Sequence, residues 1–241
     1  MSILAIDTAT QVSSVAVASA DKLSAELTMQ AKLTHSETLM PHIKEVLRMA
    51  GVKKEKLEGI AVSIGPGSFT GLRIGLAAAK AMAYALSLPI VGVSTLKALA
   101  YHYPVPGVRI VSLLDAQKGN AYRESYEWQA GEIKIMQEVE VLPIAEILAE
   151  CAECGRQVIL LGDVAARRIR GKVELPANVS VAPAHLVMPR AACVAMLGLQ
   201  EIADGRRDNV MNMEPVYIRR SEAEVLWEKR HPEAAKSGAG K

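Results

Sequence analysis

Apolar runs at the start of the chain predict three strands and then a helix. Residues 2–7 are almost wholly apolar, as expected of a strand buried on both faces, and 12–18 and 22–29 follow after short polar turns. Short connections between strands favour an antiparallel meander. Apolar positions then recur at helical spacing over residues 36–50, and Gly51 suits the end of that helix.

The pattern continues with a helix–strand unit and then repeats. A strand is predicted at 59–64, a helix from about 70 to 86, a strand at 89–94 and a short helix after it. The same order recurs further along, with strands at 108–116, 121–128, 133–142, 157–163 and 179–183 and helices at 144–153 and 190–205. Two copies of strand–strand–strand–helix–strand indicate an internal structural duplication with slight sequence identity.

This order predicts an α/β fold with two mixed sheets and helices on their faces. We expect a duplicated actin-like fold, the architecture shared with Hsp70 and ribonuclease H. Prolines and a glycine near 104–107 place the boundary between subdomains 1–103 and 104–205. Residues 206–230 could return to the first subdomain, and the tail at 231–241 lacks apolar anchors and is expected to be disordered.

Composition narrows the functional classes. Half of the 241 residues are apolar, which supports a sizeable core, and the net charge of +2 is too small for an electrostatic nucleic-acid footprint. One Phe and two Trp argue against a platform that stacks single-stranded bases. We find no signal peptide and no apolar run of membrane-spanning length, so we expect a reduced, cytoplasmic protein without a membrane partner.

Residues 63–86 are dense in glycine, which suggests a phosphate loop. No Gly-Lys-Ser/Thr completes a Walker A loop, and the G-x-G-x-x-x-G spacing is one residue too long for a Rossmann fingerprint. Pro66 also stands where a nucleophile elbow around Ser68 would need glycine. The spacing therefore excludes these nucleotide and nucleophile templates.

Small residues recur every four positions along the predicted helix, at Gly71, Gly75, Ala79 and Ala83. Glycine inside a helix costs about 1 kcal/mol relative to alanine, so two on one face indicate the close approach of another backbone. That backbone belongs either to this domain's own sheet or to a partner subunit. The helix is capped by Ser68 or by Thr70.

A second candidate is the strand-end turn at 7–10. Asp7 followed by Thr8 and Thr10 resembles the turn with which actin-like folds grip phosphate and magnesium, and Asp115 stands at the corresponding place in the second half. The alternative is an Asx turn without a ligand. Gln117 and Lys118 follow Asp115 where small hydroxyls would serve better, so a complete independent ATPase is doubtful.

Other chemical motifs are weak. Cys151 and Cys154 form one C-x-x-C without a second pair at zinc spacing, and no H-x-x-x-H occurs, so we assign no metal ligands and no catalytic residues. A basic run favours a solvated face over a contact with tRNA phosphates; it comprises Arg167, Arg168, Arg170 and Lys172.

Several blocks of the chain, from about residue 1 to 220, carry a family resemblance. They are ILAIDTAT, THSETLMPHIKEVL, GPGSFTGLRIGLAAAKAMA, PIVGVSTLKALA, LLDAQKGNAY and PVYIRR. In this order they resemble the bacterial TsaB (YeaZ) family. The resemblance implies a non-catalytic, cytoplasmic dimerization subunit of the complex that makes N6-threonylcarbamoyladenosine at position 37 of ANN-decoding tRNAs.

The resemblance also implies partners and a docking surface. The expected partners are TsaD, the ATPase TsaE, a second copy when the chain is alone, and tRNA indirectly through the complex. No cofactor is firmly implied, although ATP or ADP could bind at the interface with partners. The implied interface lies on two helices of the first subdomain and comprises His35, Leu39, Ile43, Leu47, Ser68, Phe69, Thr70, Gly71, Leu72, Gly75, Ala79 and Ala83.

The resemblance separates this chain from its catalytic paralogue. TsaD carries an H-x-x-x-H metal motif just after the strand equivalent to PIVGV, and Thr95 and Leu99 occupy those two places here. Neither side chain binds a metal as imidazole does. The sequence therefore predicts a scaffold that supports TsaD, with an autonomous actin-like ATPase or kinase as the alternative; a peptidase has no supporting motif.

Overall fold

The computed structural model describes residues 1–30 and 35–218. The predicted tail at 231–241 lies outside the described residues. The first sheet has five strands in the order β3-β2-β1-β4-β5, where β1 pairs antiparallel with β2 and parallel with β4. Its strands are β1 (Ile3–Asp7), β2 (Val12–Ser19), β3 (Lys22–Gln30), β4 (Gly59–Gly65) and β5 (Ile90–Ser94).

The second sheet repeats the first. Its order, β10-β9-β6-β7-β8, is the same path, with two antiparallel pairs on one side of β6 and two parallel pairs on the other. Its strands are β6 (Arg109–Asp115), β7 (Asn120–Gln129), β8 (Glu132–Pro143), β9 (Val158–Leu161) and β10 (Val179–Val181). The predicted duplication is thereby confirmed at the level of topology.

Two long helices cover one face of the first sheet. They are α1 (His35–Ala50) and α2 (Phe69–Leu86), and their apolar stripes share one core with β1, β2 and β4. Leu39 and Ile43 of α1 meet Ala79 and Ala83 of α2 in this core. The amphipathic period explains the arrangement, because each helix buries its apolar stripe against the sheet.

The remaining α-helices of the described residues are α3 (Thr95–Tyr101), α4 (Ile144–Glu153) and α5 (Ala191–Ala203). Of these, α3 comes from the first half of the sequence and α5 from the second, but each packs on the sheet of the other half. The helix α3 packs on β6 and β7 of the second sheet, whereas α5 packs on β1 and β2 of the first. The prediction grouped α5 with the second half; the packing differs because Val194 and its neighbours fill the open face over Ile3 and Ala5. The boundary near 103 stays a prediction.

Residues 206–218, here called the C-terminal strap, run back along the first sheet. The Asp208 amide donates to the Ile90 carbonyl at 2.9 Å, and the Asp208 carboxylate accepts from the Gly92 amide at 2.7 Å. The Val216 amide then donates to the Ile64 carbonyl at 2.7 Å. The strap therefore supplies hydrogen bonds to β5, whose outer side has no further strand in the sheet.

Candidate functional site: a strand-end turn and an exposed helix pair

The amino end of α2 is seated directly on the turn after β1. The Thr8 hydroxyl donates to the Gly71 carbonyl at 2.7 Å, and the Ser68 amide donates to the Ala9 carbonyl at 2.7 Å. Ser68 also caps α2, since its hydroxyl oxygen accepts from the Gly71 amide at 3.3 Å. The turn and the glycine-rich block therefore form one hydrogen-bonded unit.

Asp7 is fully buried in this unit, and both of its carboxylate oxygens are engaged. One accepts from the Ala9 amide at 3.0 Å and the other from the Ser63 hydroxyl at 2.5 Å. Burial raises the pKa of the Asp7 carboxyl, and the two hydrogen bonds lower it in part. The bond from residue 9 back to residue 7 is an Asx turn, the alternative considered for this segment.

The corresponding turn of the second half has the same geometry. The Asp115 carboxylate accepts from the Gln117 amide at 2.7 Å, again two residues on. Its other oxygen is ion-paired with Arg168 at 2.9 Å, and the neighbouring Arg167 donates to Gln11 in the first half. Guanidinium groups therefore link the two strand-end turns across the gap between the sheets.

These contacts bear on whether the turns fit a magnesium-bound phosphate. A metal-ordering carboxylate needs free oxygens, and those of Asp7 are used inside the chain. The Thr8 hydroxyl is committed to Gly71, and the Thr10 hydroxyl oxygen accepts from the Val12 amide at 3.1 Å. In this conformation the turn at residues 7–10 does not fit a magnesium-bound phosphate. Phosphate binding at this turn stays a prediction.

The two helix histidines are both tied to the sheet. The Nε2 atom of His35 lies 2.7 Å from the Thr10 carbonyl, which can only accept, so Nε2 is the donor. His42 is buried with Nδ1 3.1 Å from the Ser13 hydroxyl, and burial lowers its pKa. These contacts position α1 against β2 and its preceding turn.

The small-residue ridge of α2 faces its own chain. A Cβ at Gly71 would lie 2.1 Å from the Thr8 carbonyl oxygen, and one at Gly75 would lie 2.2 Å from the Thr8 hydroxyl. Ala79 and Ala83 are buried in the same core. The hypothesis that these glycines make room for a partner's backbone is therefore wrong, because the space is occupied by residue 8.

The interface residues implied by the family resemblance fall into two groups according to their solvent exposure. Seven are buried and face the chain's own core: Leu39, Ile43, Gly71, Leu72, Gly75, Ala79 and Ala83. Five are partly or fully exposed and stay candidates for contact: His35, Leu47, Ser68, Phe69 and Thr70.

The outward face of the helix pair consists of other residues. Tyr84 on α2 is 73% exposed, and Met40 and Met49 on α1 are 55% and 52% exposed. Exposed Ala77 and Ala81 lie on the same outward side of α2 as Tyr84. Sequence reasoning missed them because α2 carries small residues on both faces. Met49 lies nine residues from Met40, half a turn away around α1, so we define the outward helix face as Met40, Ala77, Ala81 and Tyr84.

An aromatic cluster joins the first turns of α2 to the C-terminal strap. The rings of Phe69 and Tyr217 stack with centroids 4.9 Å apart, and the Arg73 guanidinium lies 3.9 Å above the Phe69 ring. Arg73 also donates through Nε to the Tyr217 hydroxyl at 2.9 Å. The strap is thereby held beside the first turns of α2.

The two positions that the resemblance compares with the metal histidines of TsaD lie in the core here. Thr95 and Leu99 are fully buried on α3. Within residues 1–30 and 35–218, no group of three or more His, Cys, Asp or Glu side chains is placed to hold a metal ion. The Thr95 hydroxyl and the Leu99 side chain offer no substitute for imidazole ligands.

The C-x-x-C and the basic run serve the fold. Cys151 is buried, and burial raises its pKa to about 11, which keeps it in the thiol form. Every member of the basic run contacts its own chain: besides the arginines already described, Arg170 donates to the Ala182 carbonyl and Lys172 to the Arg167 carbonyl at 2.6 Å. The contact with tRNA phosphates is untested.

Two topologically equivalent mixed sheets, each with an aspartate-led turn after its first strand, define an actin-like α/β protein. None of its helices within the described ranges combines the length and apolarity needed to cross a lipid bilayer.

Comparison with known proteins identifies a family within this class of protein. Residues 28–227 match the family model "TsaD: tRNA N6-adenosine threonylcarbamoyltransferase". The Bacillus subtilis "tRNA threonylcarbamoyladenosine biosynthesis protein TsaB" is 32% identical over 94% of this chain and 98% of its own length. Its Escherichia coli namesake is 30% identical over 95% of this chain and 98% of its own length. The solved structure of YeaZ from Pseudomonas aeruginosa superposes with a TM-score of 0.73 at 26% identity, covering 90% of this chain and 99% of that one. The chain belongs to the TsaB family, within the larger group that the TsaD model describes.

Proposed function

We propose that this chain acts in tRNA threonylcarbamoyladenosine biosynthesis as a scaffold subunit that binds and supports TsaD. TsaD would transfer the threonylcarbamoyl group from threonylcarbamoyl-AMP to N6 of adenosine 37 in ANN-decoding tRNAs. The observation that carries the proposal is the outward helix face, where Tyr84 and Met40 present large apolar side chains to solvent and Ala77 and Ala81 are exposed beside Tyr84 on α2. Contiguous exposed apolar patches mark protein-interaction sites, and these residues are proposed to form one.

The composition of the face suits a protein partner. Exposed alanines at 77 and 81 allow another helix to approach closely, while Tyr84 and Met40 supply contact area. Tyrosine is enriched among residues that dominate binding energy, and methionine adapts to irregular surfaces. A homodimer of the isolated chain would use the same face, so the two complexes would compete.

A non-catalytic role is supported by the residues at the two positions that the resemblance compares with the metal histidines of TsaD. Thr95 and Leu99 are committed to the core of α3, and the strand-end carboxylate of Asp7 is engaged within its own turn. The chain is therefore proposed to contribute no metal and no catalytic group of its own. TsaE and tRNA are proposed to join through the complex, in the cytoplasm, with any ATP or ADP bound at the interface with partners.

The alternative of an autonomous actin-like ATPase or kinase gains no support from the turn. Its essential carboxylate would have to leave both the Ser63 hydroxyl and the Ala9 amide before it could order a magnesium-bound water. Calorimetry with Mg-ATP on the isolated chain separates the two functions. Binding with turnover would favour the ATPase, and the scaffold proposal expects neither.

The proposal is tested by reconstituting the modification. Purified TsaD and TsaE, threonylcarbamoyl-AMP and unmodified ANN-decoding tRNA are combined with or without this chain, and an unrelated protein of similar size serves as the control. We expect the rate of threonylcarbamoyladenosine formation to rise at least about tenfold only with this chain, a difference of about 1.4 kcal/mol in activation free energy. Full activity in its absence would reject the scaffold role.

A further inference from the structure

A cavity of about 330 Å³ is lined by residues from both halves of the chain. Residues at the carboxyl ends of the parallel strands β4 and β5 form one side, and Glu124 of β7 with Val139 of β8 forms the other. The carboxyl ends of parallel strands and the junctions between domains are the usual places for small-molecule sites in α/β proteins. The volume is in the range of such sites.

The cavity contains a lysine without a partner. Lys97 lines it from α3 and is half-buried, yet its ammonium makes no hydrogen bond or ion pair with any described residue. Two other charged side chains at the cavity, Arg206 and Glu201, pair with each other at 3.1 Å. Lys97 is thus the cationic group of the cavity whose charge is left for a ligand.

The opposite side of the cavity carries a buried carboxyl group. Glu124 is 6% exposed and accepts one hydrogen bond, from the Tyr126 hydroxyl at 2.5 Å. Burial raises the pKa of Glu124, the hydrogen bond from Tyr126 lowers it, the Glu138 carboxylate raises it, and the Lys97 ammonium lowers it. Glu124 and Lys97 are therefore close enough to interact electrostatically, but no ion pair joins them.

Most of the remaining lining is apolar, apart from Ser94, whose hydroxyl oxygen accepts from the Lys97 amide, and the Arg206–Glu201 pair. Aliphatic side chains come from both halves and from the C-terminal strap: Ile64, Val93, Val139, Leu197, Val216 and Ile218. A bound molecule would meet one cationic group without an ion-pair partner, one buried carboxyl group and a largely aliphatic wall, while Arg206 and Glu201 satisfy each other. Charged groups removed from water must be paired or hydrogen-bonded, so the matching ligand carries both charges on an aliphatic body.

We propose that this cavity binds a small zwitterion of the amino-acid class, with its carboxylate on Lys97, its ammonium on Glu124 and its aliphatic side chain against the apolar wall. The site is independent of the TsaD scaffold role. Its two charged groups lie on α3 and β7, outside the outward helix face.

The probe is L-leucine, titrated into the full chain by calorimetry beside two analogues that each retain one charge. Leucinamide keeps the ammonium and lacks the carboxylate, and 4-methylpentanoate keeps the carboxylate and lacks the ammonium. We expect L-leucine to bind with a dissociation constant of about 1 mM or tighter and each analogue to bind at least about tenfold more weakly.

Two variants assign the charges. Lys97→Met keeps the aliphatic stem and should weaken L-leucine about tenfold while leaving leucinamide unchanged. Glu124→Gln keeps an acceptor for Tyr126 and should weaken L-leucine while leaving 4-methylpentanoate unchanged. Lys44→Met, an exposed change on α1, is the matched control and should bind as the parent does.

Two outcomes would overturn the proposal. One is the absence of L-leucine binding at about 20 mM to a parent chain whose thermal melt shows it folded, well above the expected dissociation constant. The other is equal binding of L-leucine by the parent and by the double variant. Circular dichroism confirms that each variant is folded before its titration is read.

Discussion

The Thr8 hydroxyl donates to the Gly71 carbonyl at 2.7 Å, and the Thr8 carbonyl oxygen lies 2.1 Å from where a Cβ on Gly71 would be. The first turn of α2 therefore rests on the backbone of the strand-end turn with no space for a side chain. This contact explains the glycine of the S-F-T-G segment as a packing requirement inside one subdomain.

Gly71→Ala tests this requirement. Alanine gains up to about 1 kcal/mol in helix propensity, but the overlap with a backbone carbonyl forces α2 or the turn to move. We expect a net loss of about 1–3 kcal/mol in the free energy of unfolding, measured by urea denaturation. Ala77→Leu adds more volume on the exposed side of α2 and should change stability by less than about 0.5 kcal/mol. Parent-like stability of Gly71→Ala would contradict the packing account.

Gly75 should be coupled to Thr8 through a side chain. A Cβ at Gly75 would lie 2.2 Å from the Thr8 hydroxyl but 3.5 Å from its Cβ, an ordinary contact. Gly75→Ala should therefore cost less in a Thr8→Ala background than in the parent, with a coupling of about 0.5–3 kcal/mol. A complete double-mutant cycle of urea melts measures this coupling. Additive costs would show that residue 75 does not press on that hydroxyl.

The strands and the duplication could be predicted from the sequence because a strand that is buried on both faces consists of consecutive apolar residues. The sequence could not orient α2, since alanine and glycine occur on both of its faces and Ala79 inside differs from Ala77 outside only in what surrounds it. Nor could it place α5, whose apolar stripe fits either sheet. Both questions are decided by tertiary contacts, such as that of Gly198 with Ala61 and Val91, that local patterns do not encode.

The three cysteines should differ in reactivity. Burial raises the pKa of Cys151 to about 11 and that of Cys193 to about 12, so few thiolates form at either site near neutral pH. Cys154 follows the last residue of α4 and is partly exposed. With iodoacetamide at pH 8, mass spectrometry should find Cys154 modified first and the other two only after urea is added. Early modification of Cys193 in the folded chain would contradict its burial.

Asp7 should make stability depend on pH. Its pKa is raised in the folded chain, so its contribution is fully present below the unfolded pKa and is lost as the pH rises through the folded value. Asn at this position keeps an acceptor for the Ala9 amide and does not titrate. The free energy of unfolding of Asp7→Asn relative to the parent should therefore increase from pH 4 to pH 7. A difference that stays flat over this range would exclude a raised pKa.

The outward helix face is tested most directly by the affinity of this chain for TsaD, measured by calorimetry with two matched variants. Ala81→Glu places a charge on the exposed side of α2, and Ala149→Glu makes the same change on an exposed position of α4 in the second half. Burying an unpaired carboxylate in an interface costs several kcal/mol, so Ala81→Glu should weaken TsaD binding at least about tenfold. The account predicts parent-like affinity for Ala149→Glu; equal affinities for all three chains would contradict it.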